Sequence, residues 1–414
     1  MMPAVSPADS SDPPVSDAPN PSTRRRMTEH FRAEGRAHPE MCAGLVVARG
    51  ETGLRVHEFA ARLGCSAEVL MALERGAVEP AAAPPEVKAL LQSAIDRRSR
   101  VRGSLLAGAV GDALGAGVEF LSHAEIVSRF GPGGITGYVP AYGRLGAITD
   151  DTQMTLFTAE GLLNGGSIDD VHAAYDRWLR VQGGGIAAGW LAEQEFLHHS
   201  RAPGNTCVSA LLSGQVGTVT SPFNVSKGCG GIMRAAPCGL IAGDVSSAFT
   251  SGVEAAAITH GHPSGYLAAG VLAAMVQSVV AGHTLADALA PARRALVGWA
   301  DHAEVVAALD AAEARASDCP RPTPDDVAAL GEGWVAEEAL AIAVFCALTC
   351  VDVRSGLLLA ANHGGDSDST AAIAGNLLGA ALGEDAIPSE WLDDLEGRPV
   401  IETMANRLAA ALGD

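Results

Sequence analysis

From residue 103 to residue 412, apolar side chains recur three or four positions apart, in segments separated by glycine-rich loops. This spacing places them on one face of an α-helix. Alternating apolar and polar positions are few, and no strand–helix–strand rhythm appears. The pattern therefore predicts an all-α body, with helices near residues 104–116, 152–164, 168–181, 186–197, 206–214, 245–259, 264–281, 284–297, 335–350, 354–361 and 369–382.

The stretch 263–282 has no charged residue and must be considered as a membrane span. It contains Pro263, Gly270 and Gln277 among its alanines and valines, which weakens the case for insertion. We expect a buried core helix and no membrane association. The first twenty residues are rich in Pro, Ser and Asp, and the eight cysteines form no CxxC pair. Both features favour a cytoplasmic protein with reduced thiols.

The beginning of the chain differs from this body. Residues 1–39 are predicted to be a disordered tail, proline-rich up to residue 23 and then basic at Arg24-Arg25-Arg26. Residues 40–95 are predicted to form a small helical module, and a further helix is expected over 86–100. Residues 98–414 then form the main domain.

Within the small module, residues 54–76 contain two apolar helical segments. Gly64-Cys65-Ser66 separates them as a tight turn that ends in a serine N-cap. This is the helix-turn-helix pattern, so DNA binding is one interpretation. The second segment offers only Arg75 as a long cationic side chain, which is poor for contacting phosphates or bases. A docking or dimerisation role is therefore favoured over DNA binding.

Charge is distributed unevenly along the chain. The formal net charge is −20, and because acids and bases balance over residues 1–100, the whole excess lies in residues 101–414. A surface this acidic repels nucleic acid, so a polynucleotide is not expected as the substrate of the body. Cations are expected wherever its carboxylates converge.

Two acidic clusters, more than 200 residues apart, stand at predicted helix starts: Thr149-Asp150-Asp151-Thr152 and Gly364-Gly365-Asp366-Ser367-Asp368-Ser369. One acid is enough to cap a helix, and capping is the alternative interpretation for each cluster alone. Each cluster, however, carries two acids with hydroxyl neighbours. Carboxylate and hydroxyl oxygens are hard ligands suited to Mg²⁺ or Mn²⁺. Together the clusters predict a divalent metal site.

Two glycine-rich segments are further candidates for function. The segment from Gly108 to Glu119 ends in a carboxylate, and the segment from Ser226 to Arg234 places backbone N–H groups beside Lys227 and Arg234. The second arrangement suits an anion. Neither segment is a Walker loop, because GxxxxGK[ST] does not occur in the chain. Tight turns or helix packing are the alternative interpretation of both.

Five segments occur in a fixed order: Gly111 to Glu119, Thr149 to Thr152, Gly228 to Arg234, Thr259-His260, and Gly364 to Ser369. In this order they resemble the signatures of the ADP-ribosylglycohydrolase family, over residues 103–412, about three quarters of the chain. The resemblance implies a large orthogonal helical bundle. It also implies hydrolysis of the glycosidic bond between ADP-ribose and a modified acceptor, on an ADP-ribosylated protein or small molecule, with ADP-ribose as the product.

The resemblance also implies the residues of the site. The ligands of two Mg²⁺ or Mn²⁺ ions would be Thr149, Asp150, Asp151, Asp366, Asp368 and Ser369. The catalytic residues would be Glu119, Asp150, Asp151 and Asp368. The substrate-binding residues would be Lys227, Gly228, Cys229, Gly230, Gly231, Arg234 and His260. The ions would bind the hydroxyls of the distal ribose and activate a water molecule. Glu119 would assist proton transfer or control access to the site.

The chain departs from the family pattern at two of these positions. Ser369 stands where most members have Thr, which keeps the hydroxyl but loses the branch that restricts its rotamers. Cys229 stands where many have Asn, so substrate contacts there are open. A nucleophilic Cys229 assisted by His260 is an alternative that we consider weaker than a tight-turn variant.

Two functions from other classes compete with hydrolysis. The chain would be a DNA-binding regulator if the module bound DNA and the body sensed ADP-ribose. It would be a toxin-immunity protein if it acted by binding a toxin. The intact acidic clusters favour a working hydrolase. The acceptor linkage (arginine, serine, another side chain, a nucleic-acid end or a small molecule) is not encoded in these motifs.

Overall fold

The structure is a computed structural model that describes residues 21–52, 54–77, 83–87 and 97–412. Throughout these ranges every regular element is helical, and β-type pairing is limited to three isolated bridges. The all-α prediction is confirmed. The N-terminal part contains α1 (Pro21–Ala33), α2 (Pro39–Thr52), α3 (Val56–Arg62) and α4 (Ala67–Glu74).

The helices of the body are α5 (Arg97–Gly115), α6 (His123–Phe130), α7 (Asp150–Leu163), α8 (Ile168–Gln182), α9 (Asn205–Leu212), α10 (Ala236–Ile241), α11 (Val245–Ala257), α12 (Pro263–Val280), α13 (Leu285–Leu296), α14 (Ala303–Asp318), α15 (Pro324–Ala328), α16 (Ala336–Thr349), α17 (Val353–Ala361), α18 (Ser367–Leu382), α19 (Ser389–Asp394) and α20 (Arg398–Ala411). Short 3₁₀ turns lie at Glu195–His198, Cys229–Gly231 and Glu384–Ala386. The predicted helix 186–197 is wrong apart from the first of these turns, because Gly189 adopts φ +124°.

The N-terminal part contains the predicted helix, tight turn and helix. Ser66 caps α4, with its Oγ accepting from the N–H of Val69 at 3.3 Å. The core between the helices includes Phe59, Leu70 and Leu73. The predicted division of the chain into a tail, a module and a main domain stays a prediction.

The predicted disordered tail is wrong for residues 21–33, where the basic run lies inside α1. This helix forms because Phe31 is buried against Cys42 and Ala43 of α2, which gives an otherwise polar segment an apolar contact. Residues 1–20 lie outside the described residues, as does most of the predicted helix over 86–100. Its last residues begin α5.

A seam of glycines joins α5 to α18 at the centre of the body. A Cβ placed on Gly111 would lie 2.1 Å from the carbonyl oxygen of Ala371, and one on Gly379 would lie 2.0 Å from that of Gly103. Because these residues have no side chain, the two helix backbones are in direct contact. The seam therefore sets the distance between the C-terminal end of α5 and the first turn of α18.

The apolar helix α12 lies in the interior. Of the helices in the described residues, it alone has the length and composition of a membrane span, and 94% of that span is buried inside the protein. The sequence-based expectation of a core helix is confirmed at this position. A helix covered on all sides by protein has no face left for lipid.

Candidate active site

The two acidic clusters meet although more than 200 residues separate them in the chain. Thr149 is the N-cap of α7, and its Oγ1 accepts from the N–H of Asp151 at 3.2 Å. Asp366 is the N-cap residue of α18, but its side chain makes no capping hydrogen bond. Its carboxylate is therefore left for another role. All the acids in the two clusters are buried, between 3% and 5% exposed.

The glycines before Asp366 allow this arrangement. Gly364 has φ +87°, a conformation that side chains disfavour. A Cβ on Gly365 would lie 2.0 Å from the carbonyl oxygen of Glu332. That carbonyl accepts from the N–H of Asp366 at 2.7 Å. The Gly-Gly pair thus lets the loop pass close to residue 332 and deliver Asp366 to the cluster.

Asp112 is a further acid at the site that the sequence analysis did not identify as functional. It lies on α5 and is completely buried. Both of its carboxylate oxygens accept from the N–H of Thr149 at 3.0 Å, and one also accepts from the N–H of Thr152 at 3.1 Å and from its hydroxyl. Asp112 therefore orients the start of α7. The available signal was a single acid near the C-terminal end of α5, within the small and mainly apolar stretch 103–115.

The buried acids carry strong mutual repulsion. Burial and the charge of Asp368 raise the pKa of Asp150, Asp151 and Asp366 well above the usual range. Burial likewise raises the pKa of Asp368. Groups in this state require a compensating charge if they are to ionise at neutral pH.

The donor chemistry at this point fits a hard cation. The Oδ1 atoms of Asp151 and Asp368 are buried without a hydrogen-bond partner, so each is free to accept a ligand. The hydroxyls of Thr149 and Ser369 flank them. Across the described residues, however, no three His, Cys, Asp or Glu side chains have the spacing of a formed metal site. The acids fit Mg²⁺ or Mn²⁺ in kind.

Glu119 lies at the same cleft, with its Oε2 buried and without a hydrogen-bond partner. Burial, then the charges of Asp368, Asp366 and Asp150, raise its pKa. The next residue, Phe120, is 71% exposed and stacks on Trp334 at 6.1 Å between ring centroids. Glu119 therefore stands between the acidic clusters and an aromatic pair.

The cleft has a volume of about 200 Å³. Most of the predicted site residues line it, namely Glu119, Asp150, Asp151, Gly228, Cys229, Gly230, His260, Asp366, Asp368 and Ser369. Gly204 and Trp334 also line it, although the sequence analysis missed both. The N–H of Gly204 donates to Asp150 Oδ2 at 3.2 Å, so this glycine helps to hold an acid in place. Thr149 is fully buried behind this surface.

The glycine-rich loop is anchored to the start of α16. Cys229 N donates to the carbonyl of Trp334 at 3.1 Å, and Gly228 N donates to Ser226 Oγ at 3.3 Å. These two N–H groups are therefore occupied within the protein, so the loop offers fewer donors to an anion than the sequence predicted. Gly231 is buried and is not part of the cleft surface.

Lys227 does not point into the cleft, contrary to the prediction of a substrate contact. Its ammonium group forms ion pairs with Glu337 and, at 3.1 Å, with Glu304. These partners raise the pKa of Lys227 and hold the side chain against α14 and α16. Lys227 therefore fixes the loop and does not act as a free cation for a diphosphate.

Arg234 is not a substrate contact either, because it is fully buried. Its guanidinium lies 4.2 Å from the ring centroid of Tyr175 and donates to Thr259 Oγ1 at 2.6 Å. Thr259 in turn contacts His260, whose Nδ1 lies 2.8 Å from the same hydroxyl. Burial, then the charge of Arg234, lowers the pKa of His260 to about 3.

Cys229 is bonded to the acidic cluster and not to His260. Its Sγ donates to Asp366 Oδ2 at 2.7 Å and accepts from Ser369 Oγ at 3.7 Å. Burial, then the charge of Asp366, raises the pKa of Cys229 well above the usual range, so the thiolate is disfavoured. The geometry does not support the alternative of a nucleophilic Cys229 assisted by His260.

The profile of the ADP-ribosylglycohydrolase family matches residues 93–414. The chain belongs to the ADP-ribosylglycohydrolase family. The predicted enzyme class is thereby confirmed as well.

Relatives in this family include named enzymes. The ADP-ribosyl-dinitrogen reductase glycohydrolase of Rhodospirillum rubrum is 29% identical over 309 residues, covering 72% of this chain and 90% of the relative. The ADP-ribosylarginine hydrolase Tri1 of Pseudomonas putida (strain GB-1) is 28% identical over 316 residues, covering 75% and 77%.

A solved structure supports the fold. It is titled "ADP-ribosylglycohydrolase-related protein complex" and matches with a TM-score of 0.57 and 28% identity. The match covers 77% of this chain and 99% of the other. The helical fold of the ADP-ribosylglycohydrolases therefore accounts for about three quarters of this chain.

Proposed function

We propose that this ADP-ribosylglycohydrolase cleaves the glycosidic bond between ADP-ribose and a modified protein side chain, using two divalent cations, Mg²⁺ or Mn²⁺. The observation that carries the proposal is the convergence of two acidic helix N-termini on the cleft that holds Glu119. Two relatives are named for ADP-ribosylated dinitrogen reductase and for ADP-ribosylarginine, which supports a protein acceptor.

The proposed ligands are the side chains of Thr149, Asp150, Asp151, Asp366, Asp368 and Ser369. Bound there, the cations would supply positive charge for the ribose hydroxyls and for a nucleophilic water. The rest of the protein holds the side chains of these ligands in position. Asp112 does so for the first cluster, and the Gly364-Gly365 turn does so for the second.

Glu119 is the proposed acid that protonates the departing acceptor. Burial, the first cause of its raised pKa, disfavours the charged carboxylate, so that Glu119 can hold a proton where the glycosidic bond breaks. The buried position of Glu119 also keeps bulk water away from that proton. His260 and the Gly228–Gly230 surface, which line the same cleft, would contact the rest of the ADP-ribosyl group.

Asp368→Asn tests the metal assignment. Asp169→Asn is a matched control, because Asp169 is the second residue of α8, as Asp368 is of α18, and it is exposed. Hydrolysis of ADP-ribosylated arginine and serine peptides is measured with Mg²⁺, with Mn²⁺ and with chelator. We expect chelation to abolish turnover and Asp368→Asn to reduce it more than about 100-fold, beyond the loss typical of outer-sphere partners.

Binding of Mn²⁺, followed by electron paramagnetic resonance, separates the two parts of the proposal. Asp368→Asn should weaken binding, and Asp169→Asn should match the wild type. Full activity after chelation would refute the metal assignment. Mn²⁺ binding without hydrolysis of any peptide would leave the site intact and refute the proposed acceptor class.

A further inference from the structure

A chain of three side chains leads from the protein interior to the cleft. Arg234 is buried and donates to Thr259 Oγ1 at 2.6 Å, and that hydroxyl lies 2.8 Å from His260 Nδ1. We propose that Arg234 and Thr259 are positioning residues that fix His260 as a neutral imidazole with its proton on Nε2. His260 thereby presents a hydrogen-bond donor to an acceptor atom of the ADP-ribosyl group, and this role rests on the proposed function.

The direction of the first hydrogen bond follows from the chemistry of arginine. A guanidinium has N–H groups and no acceptor, so Thr259 Oγ1 must accept from Arg234 Nη2. The other groups around Arg234 are consistent with this role. Its Nη1 donates to the sulfur atoms of Met154 at 3.2 Å and Cys207 at 3.4 Å, so the side chain is held from several sides.

The direction of the second hydrogen bond follows from the single proton of Thr259. With the oxygen accepting from Arg234, the hydroxyl proton is directed to a second partner. The Sγ of Cys207 also contacts this hydroxyl, but sulfur is a weak acceptor and the unprotonated imidazole nitrogen is a strong one. His260 Nδ1 therefore accepts, and the imidazole proton resides on Nε2.

The proton on Nε2 faces the cleft. A Cβ on Gly228 would lie 3.5 Å from Nε2, whereas a Cβ on Gly231 would lie 3.5 Å from Nδ1. Nε2 is therefore on the side of the cleft-lining glycines, and Nδ1 is on the interior side. Among the described residues Nε2 has no hydrogen-bond partner, so it is available to an oxygen or nitrogen acceptor of the ligand.

The charge state of His260 agrees with this assignment. Burial and the neighbouring charge of Arg234 lower its pKa to about 3, so the ring stays neutral at physiological pH. A neutral ring has one donor and one acceptor, and which nitrogen is the donor depends on Thr259. A protonated ring would donate from both nitrogens and would need no such control.

Long-range ¹H–¹⁵N correlation spectra of the ¹⁵N-histidine-labelled protein report the tautomer directly. The His260 signals are identified by their loss in His260→Gln. We expect the pattern of the neutral Nε2–H form in the wild type and in Thr259→Ser. Thr259→Val, which has the same shape but no hydroxyl, is expected to lose this pattern. A wild-type ring that is protonated, or that carries its proton on Nδ1, would overturn the proposal.

Ligand affinity supplies the second measurement. Thr259→Val should weaken binding of ADP-ribose about tenfold, the effect of one misdirected hydrogen bond, and Thr259→Ser should restore it. For hydrolysed substrates, KM is expected to rise more than kcat falls. Unchanged spectra and affinity in Thr259→Val would refute the relay. If Thr259→Val does not fold, the wild-type and Thr259→Ser spectra decide alone. The spectra require no substrate, so they remain informative even if the proposed hydrolysis fails.

Discussion

His260 is a buried histidine whose pKa in the folded protein is about 3, against about 6.5 in an unfolded chain. Below pH 6.5 the unfolded chain binds a proton that the folded protein rejects. Stability from this residue is therefore present at higher pH and is lost as pH falls through 6.5. The size of the effect is set by how far the pH lies below the unfolded value.

We expect His260→Gln to show less acid destabilisation than the wild type. Between pH 7 and pH 5, the loss in free energy of unfolding should be smaller in the variant by about 2 kcal/mol. The reason is that a difference of one bound proton between the unfolded and folded states changes the free energy of unfolding by about 1.4 kcal/mol per pH unit, and the variant lacks this difference. Urea unfolding at the two pH values, with chelator present, measures this. Parallel pH dependence in the two proteins would contradict the prediction.

The sequence predicted which residues lie near the site better than it predicted which way their side chains point. The acids of both clusters, Glu119 and His260 all reach the cleft as predicted. Lys227 and Arg234 do not, because their directions depend on partners that only the fold brings near. Glu337 lies 110 residues from Lys227, and Thr259 lies 25 residues from Arg234.

Helices were the most predictable elements, because apolar spacing and capping residues are local signals. The start of α4, for example, was predicted from the N-cap Ser66, and the start of α7 was predicted at the first acidic cluster. The meeting of α7 with α18 was not visible, because it depends on the glycine seam between α5 and α18. That their acids would share one metal site was predicted from the composition of the two clusters, and the motif resemblance then implied which residues are the ligands.

The seam gives a prediction about α5. A Cβ on Gly115 would lie 2.3 Å from the Cα of Asp368, so Gly115→Ala must push the first turn of α18 away. We expect a loss of about 1–3 kcal/mol in the free energy of unfolding, as for other overpacked sites, together with weaker Mn²⁺ binding. Denaturant unfolding and metal titration measure the two effects.

Gly133→Ala is the control for this substitution. Nothing lies within 4 Å of a Cβ at Gly133, and its φ is not in the left-handed region. Its unfolding free energy and Mn²⁺ affinity should stay near the wild-type values, within about 0.5 kcal/mol for stability. Wild-type Mn²⁺ affinity in Gly115→Ala would show that the seam does not set the position of Asp368.

The molecule as a whole combines the hydrolase body with the N-terminal helices. His38 of the N-terminal part lies 3.5 Å from Asp352 of the body, which is a direct polar contact between them. On α4, the segment corresponding to a recognition helix, Val69 and Met71 are exposed. Exposed apolar side chains suit a protein partner better than phosphates. Docking in preference to DNA binding stays a prediction.

A chain that begins at Arg97 should fold and hydrolyse substrate at the full-length rate. Every residue of the proposed site lies between positions 112 and 369. The start of α5 is held by the body itself, since Arg98 Nη2 donates to Asn406 Oδ1 at 3.0 Å and Arg100 Nη1 donates to the carbonyl of Ala380 at 3.0 Å. Circular dichroism and kcat/KM test this. A folded but inactive short chain would show that the N-terminal helices complete the site.

The aromatic pair at the cleft gives the enzyme an optical property of its own. Trp334 is 40% exposed and lines the cleft, whereas Trp178 and Trp391 are buried at 0% and 4%. A ligand that displaces water from the indole of Trp334, or shifts Phe120 away from it, changes the surroundings of that chromophore. The part of an emission change that Trp334→Phe abolishes is therefore a label-free record of cleft occupancy, because the other four tryptophans remain in that variant.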